Sequence, residues 1–158
     1  MRCVFTSGSI FVRAFVAVFI VILGSTNIDV GASETPLIKD VGEKDRAEIQ
    51  AAIGDQLAAF QARDAERAFS YASPAIQSKF RTPANFISMV RAYYPVVYAA
   101  RNPEYLPLTA VRGIWIQGVI ISDSRGEAWL AQYPMEKQSD GRWLINGCLI
   151  SVLEDRNL

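Results

Sequence analysis

The stretch Gly126–Val152, GEAWLAQYPMEKQSDGRWLINGCLISV, decides the fold. It reads as two β-strands joined at Asp140-Gly141, a dipeptide suited to a two-residue type I′ turn because both residues tolerate positive φ. Pairing Ser139 with Arg142 sets the register. Gln138 then opposes Trp143, Met135 opposes Asn146, Tyr133 opposes Cys148, Ala131 opposes Ile150 and Trp129 opposes Val152. Side chains alternate along a strand, so two faces follow. One carries Trp129, Ala131, Tyr133 and Met135 with Leu144, Asn146, Cys148, Ile150 and Val152. The other carries Leu130, Gln132, Pro134 and Glu136 with Trp143, Ile145, Gly147, Leu149 and Ser151. A slip of one residue exchanges the faces. Pro134 cannot donate to a ladder, which marks an edge, a bulge or a kink there.

Immediately upstream, Val111–Ser122 is rich in β-branched and aromatic residues, and Asp123-Ser124-Arg125-Gly126 is a turn cluster. A two-residue loop with Asp123 opposite Gly126 is the preferred connection. It places Ile114, Ile116, Gly118 and Ile120 on the face of Tyr133 and Asn146, whereas a three-residue loop places Trp115, Gln117 and Val119 there. Before this meander, the prolines of Arg101–Leu108 predict a loop, followed by a short edge strand near Tyr105–Thr109.

The region before the sheet is helical. Asp45-Arg46-Ala47-Glu48 resembles a capping box with Asp45 as the cap. A helix follows to about Ala62, with Ile49, Ala52, Ile53, Gln56, Leu57 and Phe60 on one face. Gly54 lies off that stripe and weakens the helix by about 1 kcal/mol relative to Ala. Asp64 caps a short second helix. Ser73-Pro74 and Thr82-Pro83 open two more, each a cap residue followed by Pro at the first helical position. The last of them buries Phe86, Met89, Val90 and Tyr93 and stops at Pro95. Helices followed by an antiparallel sheet make an α+β domain with the long helix packed across one sheet face.

The chain has 158 residues, enough for one domain and a processing segment. Arginines at 2 and 13 precede or flank the apolar run Ala14–Gly24, whose length suits the core of a secretory signal rather than a membrane span of about 20 residues. Val30-Gly31-Ala32 supplies a cleavage site, so residues 1–32 read as a signal peptide, 33–44 as a flexible leader and 45–158 as one domain. An anchor extending back to Ile10 is the alternative. The expected location is periplasmic or secreted, with no stable membrane association after cleavage. The mature charge is near zero and has no Lys/Arg cluster, which argues against nucleic acid as a partner. Only Cys148 remains after cleavage, so an intramolecular disulfide is impossible. The chain contains no histidine, which excludes His-based triads, zinc sites and general bases.

AFQARDAERAFSYASPAIQSKF (59–80), FISMVRAYYPVVY (86–98) and AWLAQYPMEKQSDGRWLINGC (128–148) resemble the bacterial family domain of unknown function 4864. The resemblance spans about Glu48–Leu153 and brings no established activity. The element order also resembles the nuclear-transport-factor-2-like group of cystatin-like folds. That likeness implies helices on a curved antiparallel sheet, with a cone-shaped pocket between them. Some members of that group are isomerases or dehydratases, and many only bind ligands.

The candidate site uses polar residues on the helix-facing side of the sheet. Tyr133 and Asn146, with Cys148 beside them, offer donors and acceptors on an apolar wall, and Tyr93, Tyr98 and Trp129 stand as candidates for the mouth. Such a pocket takes a small apolar or mixed-polarity molecule, with no cofactor and no metal. The alternative is that Tyr133 and Asn146 are satisfied inside a filled core, and Cys148 alone reads as a small buried apolar residue. Asp55 and Asp64 read as solvated or capping, and Arg91 and Arg101 as surface cations that match a carboxylate. Non-catalytic binding is therefore the favoured function. The alternatives are an isomerase or dehydratase using Tyr133, and a structural dimer. Trp143, Ile145, Leu149 and Leu130 would form an apolar outer patch suited to homodimerisation.

Overall fold

The computed structural model describes residues 41–153; the expected signal peptide (1–32) and most of the expected leader lie outside them. The described chain is an α+β domain in which five helices precede a strongly curled, six-stranded antiparallel sheet, a half-barrel. Among the described residues no helix is long and apolar enough to cross a membrane.

Helix α1 (Glu43–Gln61) buries the stripe read from its spacing: Ile49, Ala52, Ile53, Gln56, Leu57 and Phe60, with Ala59 beside it. It starts three residues earlier than the capping box implies, with Gly42 at the N-cap and no side-chain cap bond. Asp45 is instead drawn across to the sheet, where its Oδ1 accepts from Lys137 Nζ (2.7 Å) and from Trp143 Nε1 (3.0 Å). Gly54 has a structural reason. A Cβ there would stand 3.0 Å from Tyr105 Oη, which donates to the Gln50 carbonyl at 3.1 Å.

The three short-helix caps form as their chemistry dictates. Asp64 Oδ1 accepts from Arg67 N (3.0 Å) at the start of α2 (Ala65–Ser70). Ser73 Oγ accepts from Ile76 N (3.3 Å) to open α3 (Pro74–Phe80), and Thr82 Oγ1 accepts from Asn85 N (3.2 Å) to open α4 (Pro83–Tyr93). Phe86 and Val90 are buried as expected, but Tyr93 is 74% exposed because α4 turns its last residue outward. Pro95 stops α4 and starts α5 (Pro95–Tyr98).

The sheet has four rails. The long inner rails are β3 (Ile114–Ser122) and β4 (Ala128–Lys137). Both outer rails are broken: β1 (Arg101–Tyr105) and β2 (Thr109–Val111) pair with β3, while β5 (Trp143–Ile145) and β6 (Leu149–Val152) pair with β4. The proline-rich stretch expected as loop is thus strand at Arg101–Tyr105, an edge position that tolerates Pro103, with a bulge between Arg101 and Glu104.

Both hairpin loops have three residues, not two. At the β3–β4 turn, Asp123 N donates to Glu127 O (3.0 Å), Gly126 N donates to Asp123 O (3.1 Å) and Gly126 sits at φ +84°. At the β4–β5 turn, Gln138 N donates to Arg142 O (2.8 Å), Gly141 N donates to Gln138 O (2.9 Å) and Gly141 sits at φ +89°. A type I′ turn needs positive φ at both central residues, and Asp140 is not among the positive-φ residues. Its carboxylate instead accepts from Arg142 N (3.0 Å).

The extra residue reverses parity twice. Trp115, Gln117, Val119 and Ile121 pair with Met135, Tyr133, Ala131 and Trp129, so they take the helix-facing side in place of Ile114, Ile116, Gly118 and Ile120. Met135 pairs with Ile145 rather than Asn146, which turns Trp143 and Ile145 inward, to 6% and 4% exposure. The expected outer patch therefore loses both, while Leu149 (61% exposed) and the half-buried Leu130 stay outside. Beyond Pro134 the expected register returns: Ala131 pairs with Ile150 and Trp129 with Val152. The irregularity expected at Pro134 absorbs the difference, and Asn146 N donates to its carbonyl at 2.8 Å. Backbone of Tyr71–Ser73 lies along β5, with Ile145 N donating to Tyr71 O (2.9 Å) and Ser73 N to Ile145 O (2.8 Å).

Gly54→Ala should lower the urea midpoint in the wild type, because Tyr105 must yield its bond to Gln50. In a Tyr105→Phe background the same change should raise stability by about 1 kcal/mol, the helix propensity difference. Asp45 gives a pH signature. Hydrogen bonds from Lys137 and then Trp143 hold its carboxyl below the usual value. A depressed folded pKa contributes stability above the unfolded value of about 3.9 that is lost as pH falls through the folded one. Asp45→Asn should therefore flatten the decline of stability below about pH 4 in acid titrations of the unfolding midpoint.

Candidate functional site

A cavity of about 600 Å³ lies between α1, α3, α4, α5 and the sheet at β4, β5 and the Asn146–Cys148 link that follows. It owes its wall to short helices: Phe60 on α1, Phe80 on α3 and Phe86 on α4 meet there. Phe86 is the hub, with ring centroids 6.2 Å from Phe60 and 5.8 Å from Phe80. Val90, Val97 and Ile145 extend the apolar lining. The volume is in the range of small-molecule sites.

Of the sequence candidates, Tyr133, Asn146, Cys148 and Tyr93 line this cavity. Tyr98 does not; its ring packs 5.8 Å from Phe60, with the Arg91 guanidinium 5.6 Å from its centroid. Trp129 is also outside the lining, paired with Ile121 and Val152 on the sheet, and its indole N–H is buried without a partner among the described residues. Asn146 sits where β5 gives way to β6. That irregularity leaves it exposed rather than buried, with its Oδ1 accepting from Ser73 Oγ at 2.7 Å.

Tyr133 is 1% exposed, and its hydroxyl has no hydrogen-bond partner of standard geometry among the described residues. Buried hydroxyls are normally satisfied, so this orphan is a feature to explain. Its cross-strand neighbour Gln117 is fully buried as well. The Gln117 amide donates to Leu106 O (2.6 Å) and Gly118 O (2.8 Å) and leaves Oε1 unpartnered. Burial pushes the Tyr133 phenol well above its ordinary value, and the neighbouring Cys148 adds to the rise. Burial also pushes the Cys148 thiol up to about 12, partly offset by Tyr133. Both groups therefore stay protonated at neutral pH.

Gln56 and Lys79 complete the polar lining. Gln56, 4% exposed, donates from Nε2 to Ala68 O at 3.0 Å. The signal for it is a polar residue inside the apolar stripe of α1. Lys79 carries no such signal, because a lysine at the end of a short helix looks like any solvated cation; its Nζ lies 5.5 Å from the Phe80 ring centroid. Among the described lining residues there is no Asp or Glu. Asp64 is a cap, and Asp55 accepts from Tyr71 Oη and Arg67 Nη2, both at 3.0 Å, while Arg101 is an edge-strand residue. No group of three or more His, Cys, Asp or Glu suited to a metal occurs among the described residues.

The geometry defines a helix-backed, curled antiparallel sheet beside an apolar cavity with a few polar groups in its lining. The family model described as Domain of unknown function (DUF4864) matches residues 42–158, and the chain belongs to that family. No curated protein and no solved structure matches the chain.

A thiol held this high reacts slowly, because the thiolate is the nucleophile. At pH 8, Cys148 in the folded protein should be alkylated by iodoacetamide at least about tenfold more slowly than in urea, where its pKa reverts to about 8.5. Equal rates in the two states, followed by mass spectrometry, would contradict the raised thiol pKa at the half-buried Cys148.

Proposed function

We propose that this is an exported protein that binds a small, largely apolar molecule in the cavity between helices and sheet, without catalysis. The observation that carries the reading is the orphaned Tyr133 hydroxyl on the lining of an aromatic cavity of about 600 Å³. The hydroxyl has almost no accessible surface and Cys148 beside it, so a ligand oxygen or nitrogen becomes its partner by displacing that neighbour. The surrounding Phe60, Phe80 and Phe86 remove apolar ligand surface from water, at roughly 25 cal/mol per Å². Binding is favoured over proton-transfer chemistry because the polar lining is held neutral at Tyr133 and Cys148 and has no carboxylate among the described residues. Export rests on the arginine-flanked apolar run and the Val30-Gly31-Ala32 site.

Native mass spectrometry of the protein recovered from the cell envelope tests both parts. The expected result is a chain starting at Ser33 with an additional mass that leaves on denaturation. A chain starting at Met1, or one that never carries a ligand, counts against the corresponding part. The Tyr133→Phe variant gives a second signature. Removing an unpartnered buried hydroxyl should raise the stability of the ligand-free protein by about 1 kcal/mol, and should weaken the retained ligand by up to about tenfold. A loss of stability without loss of affinity would mark Tyr133 as a packing residue.

A further inference from the structure

The lining of the cavity separates by exposure into an interior and a rim. Gln56, Phe60, Phe86, Val90, Tyr133 and Ile145 are each no more than 5% exposed, whereas Lys79, Tyr93 and Asn146 are exposed lining residues. The rim is therefore where a ligand passes from apolar to wet surroundings.

Its electrostatics are one-sided. Lys79 is the sole formally charged residue of the described lining, and its ammonium makes no ion pair there; its recorded neighbour is the Phe80 ring. Asn146 spends its carbonyl oxygen on Ser73 Oγ (2.7 Å), which leaves its amide N–H groups for a ligand. Lys79 and the Asn146 amide offer only donors at the rim, one of them a cation, while the Tyr93 hydroxyl can donate or accept. A neutral apolar molecule uses neither, a cation is repelled, and an anion is matched by both.

We infer that the ligand is an amphipathic anion, its apolar body among Phe60, Phe80 and Phe86 and its carboxylate- or sulfonate-like head at Lys79 and Asn146. This rests on the binding reading above and adds the charge and direction of entry. The exposed Tyr93 is a further lining residue.

Two dyes that share one apolar body separate the inference from the reading beneath it. These are 8-anilinonaphthalene-1-sulfonate and its uncharged analogue N-phenyl-1-naphthylamine, titrated by fluorescence against the folded protein. Both should bind, the sulfonate about fivefold more tightly, the scale of a solvent-exposed ion pair. In Lys79→Gln the ratio of the two affinities should fall to near one, and in wild type it should shrink as salt is raised. Met89→Trp, which fills the cavity from its half-buried wall, should abolish binding of both dyes. Equal affinities in the wild type, or a preference that survives Lys79→Gln, overturns the anion inference and leaves the cavity standing as a binding site. Absence of binding by either dye, or binding that survives Met89→Trp in a variant with an intact unfolding transition, overturns the binding reading and this inference with it.

Discussion

Parity at two loops governs what the helices meet. Each loop has three residues and closes with a glycine in the left-handed region, Gly126 at φ +84° and Gly141 at φ +89°. Each is tied by an aspartate carboxylate: Asp123 Oδ1 accepts from Arg125 N and Glu127 N, and Asp140 Oδ1 accepts from Arg142 N. With that spacing Gln117 stands across from Tyr133 and Ile145 from Met135, and all four are buried against the helices. Remove one residue from either loop and an inner face becomes an outer one. Asp45 reinforces the arrangement from the helix side, since its bonds to Trp143 and Lys137 need Trp143 beneath α1.

That parity was the part of the fold least legible in the sequence. Asp140-Gly141 fits a two-residue turn with positive φ at both positions, and fits equally a three-residue loop in which only Gly needs it. Local preference cannot separate them, because the difference lies in which of Trp143, Leu144, Ile145 and Asn146 face the helices, and that is settled by packing far along the chain. The helices were legible because their signals are local and chemically distinct: a carboxylate or hydroxyl at Asp64, Ser73 and Thr82 captures an amide N–H of the first turn, and proline follows two of them. The apolar stripe of α1 was legible for the same reason. Pro134 was legible as an irregularity, and the break beside it restores the expected register for β6 while tilting Asn146 out to the rim.

The site was partly legible by alternation alone. Tyr133 and Cys148 share a face in the two-residue register, and they do so in the structure because the break at Pro134 returns β6 to it; an unbroken three-residue register would have turned Cys148 outward. The aromatic wall was hidden, since Phe60, Phe80 and Phe86 come from three helices whose mutual placement no spacing rule states. Gly54 shows the same limit. Its conflict with helix propensity is local, while its resolution is the Tyr105 hydroxyl on a strand far along the chain.

The strap of Tyr71–Ser73 along β5 has a bearing on colloidal behaviour. A curled sheet left with a long free border invites strand addition by another chain. Here the strap consumes the backbone groups of Ile145, so the border beyond it is the four-residue β6. On the opposite border, β1 carries Pro103 and a bulge, and β2 has three residues. Neither margin presents an unbroken template long enough to recruit a partner strand efficiently. A domain without an internal disulfide thereby gains resistance to edge-on aggregation from interruptions that would otherwise read as defects of the sheet.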